Sequence, residues 1–305
     1  MGKVAFVFPG QGAQYSGMGK SLCEASPAAA ELFRMADSLR PGTAAQCFSG
    51  TEEELKETSI TQPCIWAVEM AAAAALNEAG IRADLTAGFS LGELSALSYV
   101  EVVDKSTCFK LVCERGRLMQ AAADKVETAM AAVVKLDSET VEAICSRFEG
   151  VYPVNYNCPG QIVVAGLKSE MAAFAAAVRD AKGRALPLKV SGGFHSPFMA
   201  EAAAAFGNLL ESAEFSTPAI PLYSNLTALP YAGDMKLLLT KQICSPVRWE
   251  AIIRNMIAEG VDTFIEVGPG SVLQGLIGKI DKTVRTFGVY DEESLKRCIE
   301  EAHLC

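Results

Sequence analysis

Residues 86–97, TAGFSLGELSAL, set a serine between two glycines where an apolar run ends and a helical pattern begins. Gly88-Phe89-Ser90-Leu91-Gly92 fits G-x-S-x-G, a sharp strand-to-helix turn that lifts a serine hydroxyl clear of the backbone. A side chain at either glycine would obstruct the chain as it doubles back. A strand that passes straight into a helix commits its surroundings to alternating α/β architecture. The turn also raises a chemical question. A serine hydroxyl is a weak nucleophile until a base takes its proton, and neighbouring Phe89 has no group that could. The plainer use of Ser90 is as a cap on the helix that follows.

The rest of the chain supports the alternation. KVAFVF (3–8) reads as a buried strand closed by PGQG. Residues 61–80 read as a helix, with Pro63 in its first turn and Gly80 at its end. Residues 84–90 form the strand before the turn, and 91–99 and 104–123 are helical. From about residue 126 the order becomes β-α-β-β-α-β. Strands fall at 129–136, 151–158, 161–166 and 184–190, with helices at 138–150 and 169–183. That is the ferredoxin-like order. Beyond it, helices at 200–215, 249–260 and 272–280 alternate with strands at 220–225 and 261–270, and the tail is acidic helix. The expectation is a parallel α/β core, residues 1–125 and 191–305, interrupted by a ferredoxin-like subdomain at 126–190.

Composition narrows the function. A net charge of −9, with no basic stripe, argues against nucleic acid as a partner. MGKVAFVFPGQG lacks the features of a secretory leader. AVEMAAAAAL contains Glu69 and is too short to span a bilayer. The chain is therefore expected to be cytoplasmic and free of membrane. Its ten cysteines include no C-x-x-C pair, so they read as buried reduced thiols. Only two histidines occur, His195 and His303, too few for a histidine-rich metal site, and no metal is expected. His303 stands third from the end, where chains commonly fray. That leaves His195, in SGGFHSPFM, as the candidate base. No acid in that region suggests itself as an orienter. A backbone carbonyl could serve, which makes a Ser90–His195 dyad more economical than a triad.

Two more stretches carry possible chemistry. FPGQGAQYSGMG (8–19) matches neither the P-loop nor G-x-G-x-x-G. Its backbone could cradle phosphate. It could also complete an oxyanion hole, the Gln11 N–H joining that of Leu91, or it could need glycine for shape alone. Arg115 lies in CERGRLMQ. Gly116 inside a helix costs about 1 kcal/mol relative to alanine, so close packing there is expected. An arginine offers a two-pronged fit to carboxylate. Arg117 points to another face and reads as solvated.

Together these stretches resemble the malonyl-CoA:acyl carrier protein transacylases of fatty-acid synthesis. The matching pieces are FVFPGQGAQYSGMG, TQP (61–63), GFSLGE, RGRLMQ, NYNCPGQIVVAG (155–166), FHSPFM, SPVRW (245–249) and EVGPG (266–270). Their order and spacing cover more than 250 residues. The resemblance implies an α/β-hydrolase-like core with a ferredoxin-like insertion. It implies that Ser90 attacks malonyl-CoA and holds the acyl group, with His195 as base and then acid. Gln11 and Leu91 would form the oxyanion hole, and Arg115 would pair with the malonyl carboxylate. The main-chain carbonyl of Gln242 would hold the histidine, and Gln62 and Asn157 would line the pocket. No cofactor is implied. Acyl carrier protein is the implied partner, and the family is often monomeric.

One departure stands out. The family usually has His where this chain has Phe89, which should alter packing and rate without removing the base. Phe194 supports malonyl over bulkier extenders, because methylmalonyl transferases tend to carry serine there. A trans-acting polyketide acyltransferase would share nearly every motif. A serine hydrolase would have to draw on His303. A silent carrier-protein binder is the non-enzymatic reading. Arg179, Lys182, Arg184 and Lys189 are one candidate surface for an acidic carrier.

Overall fold

The computed structural model describes residues 2–190 and 192–302, so the rival base His303 lies outside the described residues. The chain opens with β1 (Lys3–Phe8), α1 (Lys20–Ala25), α2 (Pro27–Leu39), α3 (Thr43–Ser49) and α4 (Thr58–Glu78). Next come β2 (Leu85–Gly88), α5 (Gly92–Tyr99) and α6 (Lys105–Ala123). The central block is β3 (Thr128–Val134), α7 (Ser138–Cys145), β4 (Val151–Cys158), β5 (Gln161–Leu167), α8 (Met171–Asp180) and β6 (Arg184–Pro187). Then follow α9 (Ala200–Glu211), β7 (Leu222–Tyr223), α10 (Met235–Gln242) and α11 (Trp249–Ala258). The last elements are β8 (Val261–Val267), α12 (Val272–Ile280), β9 (Arg285–Val289) and α13 (Glu292–Ala302).

Two separate sheets result. One is parallel throughout, in the order β7-β2-β1-β8-β9. Both of its faces are buried, as a parallel sheet requires. Alternation along β1 serves each face in turn: Phe6 and Phe8 join one core with α4 and α6, while Ala5 and Val7 join another with α11 and α12. The second sheet is antiparallel, in the order β4-β5-β3-β6. Ala131, Val133, Ile162 and Val164 pack one of its faces on Phe174 and Val178 of α8 and Val141 of α7. Met130, Ala132, Val163 and Ala165 turn the other face to the larger core. The α/β class and the β-α-β-β-α-β order expected from the sequence are both present.

Some elements differ from expectation. Helix α4 begins at Thr58, so Pro63 lies inside it rather than in its first turn. The helix is nucleated upstream, where the Thr61 N–H donates to the Glu57 carbonyl at 2.7 Å. Sixteen of its residues are buried, which fits an apolar composition on every side of a central helix. Helices α1–α3, α10 and strand β9 were not expected from the pattern. Among the described residues no helix is long and apolar enough to cross a membrane.

The antiparallel sheet is stitched at its β4 edge to a loop of the core. Tyr156 N–H donates to the Val247 carbonyl and Val247 N–H to the Val154 carbonyl, both at 2.9 Å. This fastens β4 to the segment between α10 and α11. The C-terminal ends of β1, β2 and β7 carry the 9–12 turn, Ser90 and Asn225. Open parallel sheets bind ligands at that edge.

Candidate active site

Ser90 follows β2 with φ +54°, a left-handed conformation that L-residues rarely adopt. The glycines on either side permit it by close approach. A Cβ on Gly88 would sit 1.9 Å from the Gly92 backbone, and one on Gly92 would sit 2.1 Å from the Phe8 carbonyl oxygen. Asn225 brackets the turn. Its Oδ1 accepts from Ser90 N at 2.7 Å, and its Nδ2 donates to the Gly88 carbonyl at 2.5 Å. Strain at Ser90 is thus held by backbone packing and by a side chain 135 residues away.

His195 also adopts positive φ, +60°, and its Nε2 lies 2.7 Å from Ser90 Oγ. Its Nδ1 lies 2.9 Å from the Gln242 carbonyl oxygen. That bond assigns the proton to Nδ1 and leaves the Nε2 lone pair facing the serine. Burial, and then the positive charge of Arg115, hold the imidazole down to about 4, against the pull of the Gln242 carbonyl. At neutral pH it is an uncharged acceptor.

Arg115 comes to the same hydroxyl from α6, its Nη2 being 3.2 Å from Ser90 Oγ. The guanidinium is fully buried and is held by two amide oxygens, Gln62 Oε1 and Gln242 Oε1, each at 2.9 Å. Its Nε has no partner among the described residues. Burial lowers its pKa to about 10, opposed by Glu93, so it stays charged at neutral pH. Gly116 lets the helix come this near: a Cβ there would lie 2.8 Å from the Thr58 carbonyl oxygen. Arg117 is exposed and paired with Glu114.

The 9–12 turn rests on the elbow, because a Cβ on Gly10 would lie 2.7 Å from the Phe89 carbonyl oxygen. Neither the Gln11 nor the Leu91 N–H has a hydrogen-bond partner among the described residues. A cleft of about 380 Å³ runs from this turn between the two sheets. Phe89, Asn155, Asn157, Lys189 and Leu273 are among its walls. The amide oxygens of Asn155 and Asn157 are buried without a partner among the described residues. Both residues lie in β4 near its irregularities of register, where a strand can re-aim its side chains. The Phe89 ring packs on Trp249 at 5.5 Å between centroids. A larger hollow of about 800 Å³, lined by Met35, Val102 and Glu214 among others, contains none of these residues.

Gln62 is not a wall of the cleft. It is buried, with its oxygen on Arg115 and its nitrogen 3.4 Å from Met119 Sδ. Phe194 is likewise buried in the larger core. Glu93, Asn225 and Tyr231 were missed by the sequence reading. Glu93 carried a signal, as a lone acid among Leu91, Leu94 and Leu97 on one short helix. Among the described residues no group of three or more His, Cys, Asp or Glu side chains could hold a metal ion.

A parallel sheet ending in a serine elbow, with a histidine on its hydroxyl, defines the class. The acyl transferase domain model matches residues 5–298. A malonyl CoA-acyl carrier protein transacylase of Bacillus subtilis (strain 168) is 41% identical, covering 98% of this chain and 97% of its own. One from Haemophilus influenzae is 37% identical, with 99% of each covered. The crystal structure of such a transacylase from Clostridium perfringens superposes with a TM-score of 0.96 at 34% identity, over 99% of this chain and 98% of that one. A malonyl-transacylase in complex with its type II PKS acyl-carrier protein gives 0.94 at 36% identity, over 98% and 99%. The chain belongs to the malonyl CoA-acyl carrier protein transacylase family.

Proposed function

We propose that this chain transfers malonyl from malonyl-CoA to the phosphopantetheine thiol of acyl carrier protein in fatty-acid synthesis, as a cytoplasmic monomer without a cofactor. The observation that carries the reading is the convergence on Ser90 Oγ of His195 Nε2 at 2.7 Å and Arg115 Nη2 at 3.2 Å. A base and a buried cation meet at one nucleophile.

His195 Nε2 takes the hydroxyl proton as Ser90 Oγ attacks the thioester carbon. The Leu91 and Gln11 N–H groups donate to the oxyanion, each worth roughly 3–4 kcal/mol in such sites. Collapse breaks the carbon–sulfur bond, and the CoA sulfur leaves with the proton from His195. The malonyl carboxylate pairs with the Arg115 guanidinium, whose fork suits it. In the second half the carrier thiol gives its proton to His195 and attacks the Ser90 ester, and the proton returns to Ser90.

The cleft suits the rest of the substrate. The free acceptors of Asn155 and Asn157 match the amide N–H groups of a pantetheine arm. Exposed Lys189 stands at the rim with a charge for phosphate, and the exposed Arg179, Lys182 and Arg184 earlier in the same stretch offer a basic surface to an acidic carrier. Phe194 limits room beside His195, favouring malonyl over branched extenders. The residues fall into a core of 1–125 and 191–305 and an inserted subdomain at 126–190. A polyketide carrier is the alternative acceptor, favoured by the similar transacylase bound to one. A hydrolase triad is disfavoured, because the orienter of His195 is a carbonyl.

The test is intact-protein mass after brief mixing with malonyl-CoA, with acetyl-CoA in parallel and Ser90→Ala as control. One malonyl adduct is expected, absent from the variant and discharged by carrier protein. Preferential acetyl loading would overturn the role of Arg115. No adduct with either would point to a silent binder.

A further inference from the structure

Glu93 is fully buried, yet the transfer step gives it nothing to do. Buried carboxyls are rare unless their oxygens are satisfied. Those of Glu93 are satisfied completely. Oε1 accepts from Asn225 N at 3.0 Å and from the Tyr231 hydroxyl at 2.5 Å, and Oε2 accepts from Gln242 Nε2 at 2.8 Å.

Two of these partners reach the reacting groups. Asn225 brackets the Ser90 turn through Ser90 N and the Gly88 carbonyl. Gln242 donates from Nε2 to the Ser90 carbonyl at 2.7 Å, accepts from Arg115 through Oε1, and holds His195 with its main-chain oxygen. His195 and Arg115 are therefore each linked to the Glu93 carboxylate through Gln242, and Ser90 through Gln242 and Asn225 as well as by the Glu93 N–H on its carbonyl. We propose that Glu93 is a positioning residue for malonyl transfer, its carboxylate fixing Gln242 and Asn225 so that Arg115 and the Ser90 turn keep their reactive geometry. The proposal rests on the malonyl-transfer reading above.

The donor set specifies the charged form. A flipped Gln242 amide would turn its oxygen onto the Ser90 carbonyl and Glu93, two acceptors, and its nitrogen onto Arg115, a donor. All three contacts therefore enforce one orientation. Asn225 N and Gln242 Nε2 can only donate, so a proton on Glu93 must face Tyr231 and force that hydroxyl to turn. A glutamine at position 93 would oppose one buried N–H with another, whichever way it faced. The charged and titratable groups facing Glu93 are Arg115 from α6 and Tyr231 from the segment before α10. Asn225 and Gln242, from the other packed elements, are neutral. Burial raises the carboxyl to about 7, while Tyr231, Gln242, Asn225 and Arg115 all pull it down. Among the described residues Arg115 has no carboxylate in hydrogen-bond contact. Glu93 balances it through the Gln242 amide, and the malonyl carboxylate would then bind a guanidinium already aimed.

The test compares wild type, Glu93→Gln, Glu93→Asp and Tyr231→Phe as full chains. Rates of malonyl and acetyl loading on Ser90 are measured between pH 5 and 9, with KM for carrier protein. Glu93→Gln should slow malonyl loading about a hundredfold and acetyl loading much less, leaving the carrier KM in place. Glu93→Asp, which keeps the charge, should restore part of the loss. Tyr231→Phe removes a group that favours ionisation, so the pH midpoint of malonyl loading near 7 should rise by about half a unit or more. An unchanged malonyl-to-acetyl ratio in Glu93→Gln would overturn the proposal, as would equal loss of both substrates. If Glu93→Gln does not fold, the Tyr231→Phe midpoint decides, and a fixed midpoint overturns it. A wild-type chain that takes no malonyl would overturn the transfer reading and this one together. Normal wild-type loading with insensitive variants would overturn this one alone.

Discussion

Beneath Ser90, the side chains of Gln62, Glu93, Asn225 and Gln242 spend their hydrogen bonds on one another, on Arg115 and on the backbone. At the mouth of the cleft, Asn155 and Asn157 keep amide oxygens that have no partner among the described residues. Apart from the Arg115 Nε, the floor is hydrogen-bonded before any substrate arrives, so it can discriminate among acyl groups with little reorganisation. The mouth is incomplete until a donor enters, so its contribution belongs to binding. Buried polar atoms without partners are uncommon, and two on one strand facing one cleft mark where a ligand completes the protein.

Substitutions should separate the two regions. The largest effect is expected from Ser90→Ala, with no acyl adduct by mass. His195→Ala should slow loading about a thousandfold or more. Arg115→Ala should lower kcat/KM for malonyl-CoA about a hundredfold or more, since hydrogen bonds to charged groups contribute roughly 1.5–3 kcal/mol each. Acetyl loading should suffer far less, and an unchanged preference would remove Arg115 from the floor. The same variant carries a pH prediction. Arg115 holds the His195 pKa down, so its loss raises that pKa. The neutral base then persists only at higher pH, and the acid limb of acetyl loading should move upward from near 4. At the mouth, Asn157→Ala should raise KM for malonyl-CoA several-fold and spare kcat, about 1 kcal/mol for one hydrogen bond. A fall in kcat instead would erase the distinction between floor and mouth. The smallest change is expected from Phe89→His, about twofold or less, because the ring packs on Trp249 and takes no part in the proton path.

The sequence made some of this legible. Ser90 announced itself because an elbow is a local pattern, and His195 because the chain offers one other imidazole. Gly116 correctly foretold close helix packing around Arg115. The floor was less visible. Its contacts join Glu93 to Asn225, Tyr231 and Gln242 across 132, 138 and 149 residues, and no local periodicity encodes such separations. The resemblance brought in Gln242 for its carbonyl, and only the folded chain gave its side chain three further contacts. The contact of the Gln62 amide with Arg115 was hidden for a similar reason, since position on a helix does not reveal which neighbour its amide meets. Pro63 misled in the opposite way, a strong start signal lying one turn inside the helix.

The stitch between β4 and Val247 has a mechanical consequence. Val247 lies five residues beyond Gln242, which orients the histidine, and two before Trp249, which backs Phe89. One wall of the cleft is therefore anchored to the catalytic floor. The far strand of that sheet, β6, pairs only with β3 among the described residues. On the β6 side the chain reaches His195 seven residues after Leu188, whereas on the β4 side the link to the histidine's support is a pair of hydrogen bonds. Both sides of the entrance are thus tied to the histidine, one through the covalent chain and one through the Val247 hydrogen bonds, so whatever docks beside Leu188 and Lys189 bears on the strand that leads to the base.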